Sequence, residues 1–190
     1  MLERLNEWDS KLFVFLNSLG VEQYDDFWIY VTNIKHWIPF YILLFVLYFL
    51  TYHWKRAIFN SVFLLATFYA TFIFTNLVKG LSSRLRPNNN PDLLEVIRIL
   101  QTPDNYSFFS GHASVSFAVT TFFVLTLKNK YKWIYFLYIW PFIFVISRIY
   151  VGVHYPSDII VGTMVGVIFA FLSYKLYRAV GVKWKGESFI

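Results

Sequence analysis

The sequence predicts an all-α protein, a polytopic membrane helical bundle of about five transmembrane helices preceded by an N-terminal amphipathic interfacial helix. The first observation is composition: of 190 residues, 57% are hydrophobic and only 15% are charged, whereas a soluble domain usually has about 25% charged residues. The second is that apolar residues form five stretches near the length of about 20 residues needed to cross a bilayer. Without repeats or linkers, residues 1–190 are expected to form one domain.

Residues 1–33 are predicted to form the interfacial helix and a loop. Charged residues such as Glu7 and Asp9 interrupt this stretch, so it is not expected to be a cleavable signal peptide. Two interpretations stay open: a helix lying in the membrane interface, or a short helix packed on the bundle. The apolar stripe that both explain consists of Leu5, Trp8, Leu12, Phe15, Leu16 and Leu19.

The transmembrane bundle is predicted over 34–180, and its first two spans are 34–52 and 57–78. Lys35 and Trp37 mark the start of the first span, and Tyr52 and Trp54 follow at its end, as in the aromatic belts of membrane proteins. The second span contains no charge.

The remaining spans are predicted at 109–127, 131–149 and 159–177. The last of them contains Gly162 and Gly166, a Gly-x-x-x-Gly pair that favours close packing between membrane helices. Between the second and third spans lies a long polar connection, 79–108, in which 93–100 is expected to form one or two helical turns.

Charge predicts the orientation of the bundle. Two short turns and the C-terminal end, including the predicted cytoplasmic tail 181–190, carry 9 of the 17 Lys and Arg, and the other side carries 8, or 5 when Lys79, Arg86 and Arg148 are assigned to a site. All acidic residues except Glu187 lie on that other side. The positive-inside rule places the basic side in the cytoplasm. Loop 79–108 and the 148–158 connection are therefore expected on the outer face.

That outer face collects the residues able to carry chemistry. Lys79 and Arg86 are seven positions apart, so they would share a face if this stretch were helical. His154 and Asp158 are four apart at the start of the fifth span. The complete candidate set is Lys79, Arg86, Ser110, Gly111, His112, Arg148, His154 and Asp158.

These residue types together suit phosphoryl transfer. Guanidinium groups match phosphate oxygens, and a Ser-Gly turn that opens a helix presents N–H groups to an anion. Two His can supply a nucleophile and an acid, and a carboxylate can orient one of them. The sequence has no Cys and no His/Glu cluster suited to a metal, and its basic residues alternate with apolar runs, so no nucleic-acid partner is expected.

Three sequence blocks resemble the type 2 phosphatidic acid phosphatase superfamily, which also includes vanadium-dependent haloperoxidases. The first, Lys-x6-Arg-Pro, matches Lys79 to Pro87. The second, Pro-Ser-Gly-His, is present as Phe109 to His112, with Phe109 replacing the Pro. The third, Ser-Arg-x5-His-x3-Asp, matches Ser147 to Asp158. The three blocks occur in the family's order, and the resemblance covers the chain from about residue 57.

The resemblance implies a role for each matching residue. His154 would attack phosphorus and become phosphohistidine, Asp158 would orient it, and His112 would protonate the leaving group. The phosphate oxygens would be bound by Lys79, Arg86, Ser110, Gly111 and Arg148. The resemblance implies neither a metal nor another cofactor. Arg84, between the first two cations, is expected to make a surface or loop contact, with contact to substrate kept as an alternative.

The resemblance also implies a substrate held in the bilayer, a membrane lipid phosphate. Small bacterial members with an outward site suggest undecaprenyl diphosphate first, in a multi-pass protein of the bacterial cytoplasmic (inner) membrane whose site faces the periplasm or exterior. Lipid A phosphate and phosphatidylglycerophosphate or phosphatidate are the alternatives. Two other functions stay open: a haloperoxidase, and a lipid phosphate binding or transport protein without turnover.

Overall fold

The computed structural model describes residues 2–183, and this range contains seven α-helices. The all-α prediction is therefore confirmed. From residue 184 on, the predicted tail lies outside the described residues. The helices are α1 (Leu2–Ser18), α2 (Asp25–Thr32), α3 (Ile38–Thr51), α4 (Trp54–Ser82), α5 (Gly111–Leu127), α6 (Ile139–Tyr150) and α7 (Pro156–Lys183).

Four helical stretches in the described range are long and apolar enough to cross a membrane: Ile34–Thr51, Trp54–Asn89, Lys132–Tyr150 and Pro156–Gly181. They correspond to the first, second, fourth and fifth predicted spans. The third is α5, a shorter apolar helix of 17 residues. At 1.5 Å per residue it is about 26 Å long, and most of its side chains are buried. The span in the centre of the bundle is thus the shortest of the five, since the other four stretches have 18 to 36 residues.

Close packing of α5 against α7 depends on the two glycines singled out in the sequence. A Cβ on Gly162 would lie 2.7 Å from the Ser110 carbonyl oxygen, and one on Gly166 would lie 2.2 Å from that of Ser114. The absence of both side chains lets the two backbones touch, as the motif predicts. The start of α5 is thereby held against the start of α7, where the Ser110 N–H donates to the Asp158 carbonyl at 3.0 Å.

A row of buried polar residues on α4 leads to the C-terminal end of this helix. Thr67, Thr71 and Thr75 follow one another at intervals of four residues and are buried against the core. Each hydroxyl donates to the carbonyl four residues earlier, so the hydroxyls remain satisfied away from water. Lys79 is the next residue in this row and is 6% exposed. The helix therefore directs this lysine into the bundle rather than towards lipid headgroups.

Helix α1 satisfies both interpretations of its sequence. The predicted apolar stripe is exposed except for the half-buried Leu16, as expected for a helix lying at a membrane surface. The neighbouring side is docked: Phe13 and Asn17 are fully buried. The Asn17 amide donates to the carbonyls of Arg98 and Ile149 at 3.1 and 3.0 Å. The helix thus has one face for lipid and one for the bundle.

Helix α2 and the course of the long connection were not predicted. Residues 91–97 form consecutive turns and a bend in place of the helical turns expected at 93–100. The reason is packing: Leu93 is buried in a cluster with Phe13 and Tyr155, while the Arg98 N–H donates to the Asn17 side chain. These contacts fix the connection against α1 and the α6–α7 turn.

Candidate active site

The predicted cations and both predicted histidines meet at one cavity of about 560 Å³, whose polar part lies at the end of the bundle where α4 ends and α5 and α7 begin. Helices α4, α5 and α6 each contribute a side chain there, and the segments before α5 and α7 contribute the others. Arg86, Arg148 and His154 are 3%, 3% and 1% exposed, so their charges and N–H groups act in a poorly hydrated space. The lining at this end includes Lys79, Arg86, Asn105, Gly111, His112, Arg148 and His154.

The same cavity has a long apolar part between α3, α4 and α5. Aromatic and aliphatic side chains line it from Ile38 on α3 to Phe72 on α4 and Val119 on α5. A charged headgroup at the polar end can therefore be continuous with an apolar tail between helices. This is the shape expected for a lipid ligand, whose two ends differ in polarity.

The geometry around His154 sets its tautomer. The Arg86 Nη1 lies 3.0 Å from His154 Nε2, and because a guanidinium can only donate, Nε2 must accept. The ring proton is then on Nδ1, which lies 3.3 Å from both Asp158 Oδ2 and Ser107 Oγ. The neutral ring thus presents the Nε2 lone pair on the cavity side, the form needed for nucleophilic attack.

Asp158 is buried and held on both oxygens. Its Oδ1 accepts from Arg84 at 2.7 Å. Its Oδ2 accepts from the Tyr155 N–H at 3.0 Å and from the Ser107 hydroxyl, besides facing His154. A buried carboxylate needs such partners to remain ionised. The arrangement leaves Asp158 little freedom to turn away from the imidazole.

The three predicted cations differ in how many N–H groups they keep available. Arg86 uses four of its five N–H groups, on His154 Nε2, on both oxygens of Asn105 and on the Val153 carbonyl. Lys79 donates to the carbonyls of Tyr106 and Ser107 at 2.6 and 2.9 Å.

Arg148 uses fewer of its N–H groups than Arg86 does: its Nη1 donates to Thr32 and Gln101. Its buried Nε has no hydrogen-bond partner among the described residues. An unsatisfied buried guanidinium N–H is costly unless an anion accepts from it.

The expected reason for the proximity of Lys79 and Arg86 was wrong. Helix α4 ends at Ser82, and Ser83 has a φ of 47°, the left-handed conformation that stops a helix. Arg86 lies beyond this turn with extended backbone, just before Pro87. Both cations reach the cavity because the chain reverses there, not because they share a helix face.

The start of α5 is built as the sequence predicts. Ser110 is the N-cap, and its Oγ accepts from the Ala113 N–H at 3.4 Å. Gly111 and His112 follow at the cavity wall, whereas the fully buried Ser110 lies behind them. The His112 Nε2 lies 3.3 Å from the Thr32 carbonyl. With Nε2–H donating there, Nδ1 is the atom left to exchange a proton.

Several polar residues of the site were missed in the sequence. Thr32 and Gln101 hold Arg148, Asn105 holds Arg86, and Ser107 bridges Asp158 and His154. All four lie at a helix end or in the long connection, where no periodic pattern marks them. For Arg84 the sequence predicted a surface or loop contact but not its partners. Its guanidinium lies between Asp158 and Asp9 of α1, away from the cavity lining.

Within the described part of the chain, no group of three or more His, Asp or Glu side chains could hold a metal ion. Metal independence of the reaction remains a prediction.

Burial lowers the pKa of His154 well below the ordinary value for imidazole, and the positive charges of Arg86, Arg148, Lys79 and Arg84 lower it further. Both effects disfavour the protonated ring. His154 is therefore neutral at and somewhat below neutral pH, which keeps the Nε2 lone pair available.

The acid limb of kcat/KM is expected at a pH below about 6.5, the ordinary pKa of imidazole. Activity is retained while His154 is neutral and falls as the pH drops through its lowered pKa. The measurement is initial-rate kinetics in detergent from pH 4 to 9, corrected for ionisation of the substrate phosphate. An acid limb at or above 6.5 would contradict the assignment.

Comparison with known proteins places this geometry in a family. The sequence model described as PAP2 superfamily matches residues 57–181. A lipid A 4'-phosphatase from Bacteroides thetaiotaomicron is 29% identical over 185 residues, covering 93% of this chain and 81% of the relative. An undecaprenyl-diphosphatase from Sulfolobus acidocaldarius is 33% identical over 168 residues, covering 87% of this chain and 69% of the relative.

The fold is also that of a solved membrane protein. The crystal structure of a transmembrane PAP2-type phosphatidylglycerolphosphate phosphatase from Bacillus subtilis superposes with a TM-score of 0.75 at 18% identity. The match covers 98% of this chain and 90% of that one. The transmembrane helical architecture predicted from the sequence is confirmed.

Proposed function

The chain belongs to the PAP2 superfamily and is a membrane lipid phosphatase, and from this premise we propose that it hydrolyses a bilayer-held phosphate through a phosphohistidine at His154. One observation carries the proposal. The unprotonated Nε2 of a buried imidazole faces a cavity that is cationic at this end and apolar along its length. The imidazole nitrogen supplies a nucleophile, and the cavity supplies a place for the phosphate and the lipid tail.

The first step forms one bond and breaks one. The His154 Nε2 lone pair attacks phosphorus, and the bond from phosphorus to the leaving oxygen breaks. Before this, the Arg86 N–H stays on the guanidinium but changes its hydrogen-bond acceptor from His154 Nε2 to a phosphate oxygen, which frees the lone pair. Positive charge develops on the imidazole, and Asp158 beside Nδ1–H stabilises it. Arg148, with its unsatisfied N–H, and Lys79 stabilise the charge on the equatorial oxygens.

His112 acts as the general acid in the first step and as the general base in the second. The first step begins with His112 protonated on both nitrogens, Nε2–H donating to the Thr32 carbonyl. Its Nδ1–H protonates the leaving oxygen as the phosphoenzyme forms, and the now neutral Nδ1 then takes a proton from the attacking water. The oxygen of that water forms the new bond to phosphorus, and the bond to His154 Nε2 breaks. Inorganic phosphate leaves, and both imidazoles return to their starting state.

For the substrate, we propose lipid A 4'-phosphate, with undecaprenyl diphosphate as the second candidate. Support for the first is the lipid A 4'-phosphatase relative, which matches over 93% of this chain. The second, the preference drawn from the sequence, is supported by the undecaprenyl-diphosphatase relative at 33% identity. In either case the apolar part of the cavity, bounded by α3 and α4, receives the tail.

For the location, we propose a cytoplasmic (inner) membrane with the cavity on the periplasmic or outer face. The support is charge. Lys55 and Arg56 lie in the first turn of α4, and Lys128 and Lys130 follow α5. All four are at the end of the bundle opposite the polar part of the cavity. The positive-inside rule then places the cavity outside.

Phosphate release from a panel of lipid phosphates tests the proposal. The panel contains lipid A 4'-phosphate, undecaprenyl diphosphate, phosphatidylglycerophosphate and phosphatidate, each in the same detergent, with the His154→Ala variant as the blank. We expect release above the blank, with the highest kcat/KM for lipid A 4'-phosphate. A preference for undecaprenyl diphosphate would support the second candidate. No release from any lipid would contradict the proposed reaction.

A further inference from the structure

Asp9 of α1 makes polar contacts that docking of an amphipathic helix does not require. Its side chain is only 10% exposed. Oδ2 accepts from Arg84 at 2.7 Å and from the Ser157 hydroxyl, and Oδ1 accepts from the Ser157 N–H at 2.9 Å. Ser157 is in the first turn of α7, one residue before Asp158. A buried carboxylate thus ties the N-terminal helix to the start of the helix that carries Asp158.

Arg84 connects this carboxylate to the one beside the nucleophile. Its Nη2 donates to Asp9, and its Nη1 donates to Asp158 Oδ1 at 2.7 Å. The guanidinium carbon lies 4.1 Å from the centroid of the Tyr155 ring, which restricts its plane. Since Oδ1 is held by Arg84, Oδ2 is turned to His154. The order Asp9, Arg84, Asp158, His154 is therefore one continuous chain of contacts.

We propose that Asp9 is a positioning residue for phosphoryl transfer: it holds Arg84 and Ser157, and through Arg84 it sets the orientation of Asp158 and the charge that His154 experiences. This inference rests on the proposed function of the same site. In this arrangement the membrane-facing N-terminal helix is part of the machinery that orients the nucleophile.

Removing the charge of Asp9 and removing the charge of Arg84 have opposite effects on the protonation of His154. The charged and titratable groups that face the imidazole are Lys79, Arg84, Arg86, His112, Arg148 and Asp158, with Asp9 acting through Arg84. Loss of the Asp9 charge makes this surrounding more positive and disfavours protonation of the ring. Loss of the Arg84 charge makes it less positive and favours protonation.

The experiment measures kcat, KM and the pH profile of kcat/KM for Asp9→Asn, Arg84→Gln and the double variant. Phosphate release from lipid A 4'-phosphate is followed above the His154→Ala blank, or undecaprenyl diphosphate is used if the panel favours it. Glu7→Gln is the matched control. It is the same chemical change two residues earlier, in an ion pair with Lys11 whose side chains are 73% and 58% exposed.

For Asp9→Asn we expect kcat to fall about tenfold with KM nearly unchanged, because Asp158 is less firmly oriented. The acid limb moves to lower pH by about half a unit in this variant and to higher pH in Arg84→Gln. In the double variant the two charge changes cancel, and the limb returns to its wild-type position. Glu7→Gln matches wild type throughout.

A purely structural role predicts lower rates without opposite shifts. An acid limb of Asp9→Asn that coincides with that of Glu7→Gln would overturn the inference. If Asp9→Asn does not fold, Asp9→Glu and Arg84→Gln test the inference. Asp9→Glu retains the charge, so its acid limb is expected at the wild-type pH. An acid limb of Arg84→Gln that is unmoved or lies at lower pH would overturn the inference. Wild-type release above the blank with unshifted profiles rejects only this inference, whereas no wild-type release rejects the proposed function itself.

Discussion

Replacement of His154 by alanine is expected to reduce kcat by about four orders of magnitude or more, the effect typical of removing a catalytic nucleophile. The imidazole is 1% exposed, and its Nε2 lies at the cationic end of the cavity. No other imidazole can form the same intermediate, because Asp158 orients His154 alone in the described site. The measurement is steady-state phosphate release in detergent with the lipid that the panel selects.

The control for this variant is His36→Ala. His36 lies in the 3₁₀ segment before α3, where its Nδ1 is hydrogen-bonded to the Tyr30 carbonyl, and it does not line the cavity. Its loss is expected to leave kcat near the wild-type value. Lipid phosphate binding by wild type without turnover, unaffected by His154→Ala, would instead favour the alternative of a binding or transport protein.

Replacement of Gly166 by leucine is expected to destabilise the protein more than any substitution on the lipid-facing surface. Even the first added atom would lie 2.2 Å from the Ser114 carbonyl oxygen and 3.0 Å from the Ala118 nitrogen, both of which are backbone atoms. Backbone cannot turn aside as a side chain can, so α5 and α7 must separate. Overpacking of a well-packed core costs about 1–3 kcal/mol and occasionally more, and here the separation also moves the start of α5 away from Asp158.

Gly80→Ala is the matched control, because a Cβ at Gly80 has no heavy atom within 4 Å. In a helix this change is expected to be neutral or stabilising by up to about 1 kcal/mol. The measurement is thermal unfolding in detergent together with phosphate release. We expect Gly166→Leu to have a lower Tm and lower activity, whereas equal Tm values for the two variants would contradict the close approach of α5 and α7.

The sequence predicted the ends of helices better than the connections between them. Ser110, Pro156 and the two glycines of α7 each have a local physical role, as a cap, a helix start or a close contact. Such roles can be read from residue type and spacing. The alternation of the predicted spans also placed the two histidines and Arg148 at one end of the bundle, as observed.

The connections were less predictable because their order comes from long-range contacts. Thr32 and Ser107 bind the side chains of Arg148 and His154 through single hydroxyls, which no periodicity indicates. The premise that Arg86 continues a helix was wrong because Ser83 reverses the chain.

The sequence contains a weak indication that Asp9 faces the bundle. Asp9, Phe13 and Asn17 recur at intervals of four, on the face of α1 beside its apolar stripe, and mark the docked face.

Chemical trapping of the phosphoenzyme tests the central claim most directly. The enzyme is mixed with lipid substrate carrying ³²P at the scissile phosphate, quenched in alkali within milliseconds, digested and mapped. We expect an acid-labile, alkali-stable label on the peptide that contains His154, absent from His154→Ala. Label on His112, or turnover by wild type with inversion of configuration at phosphorus, the outcome of a single direct attack of water on the lipid phosphate, would contradict it.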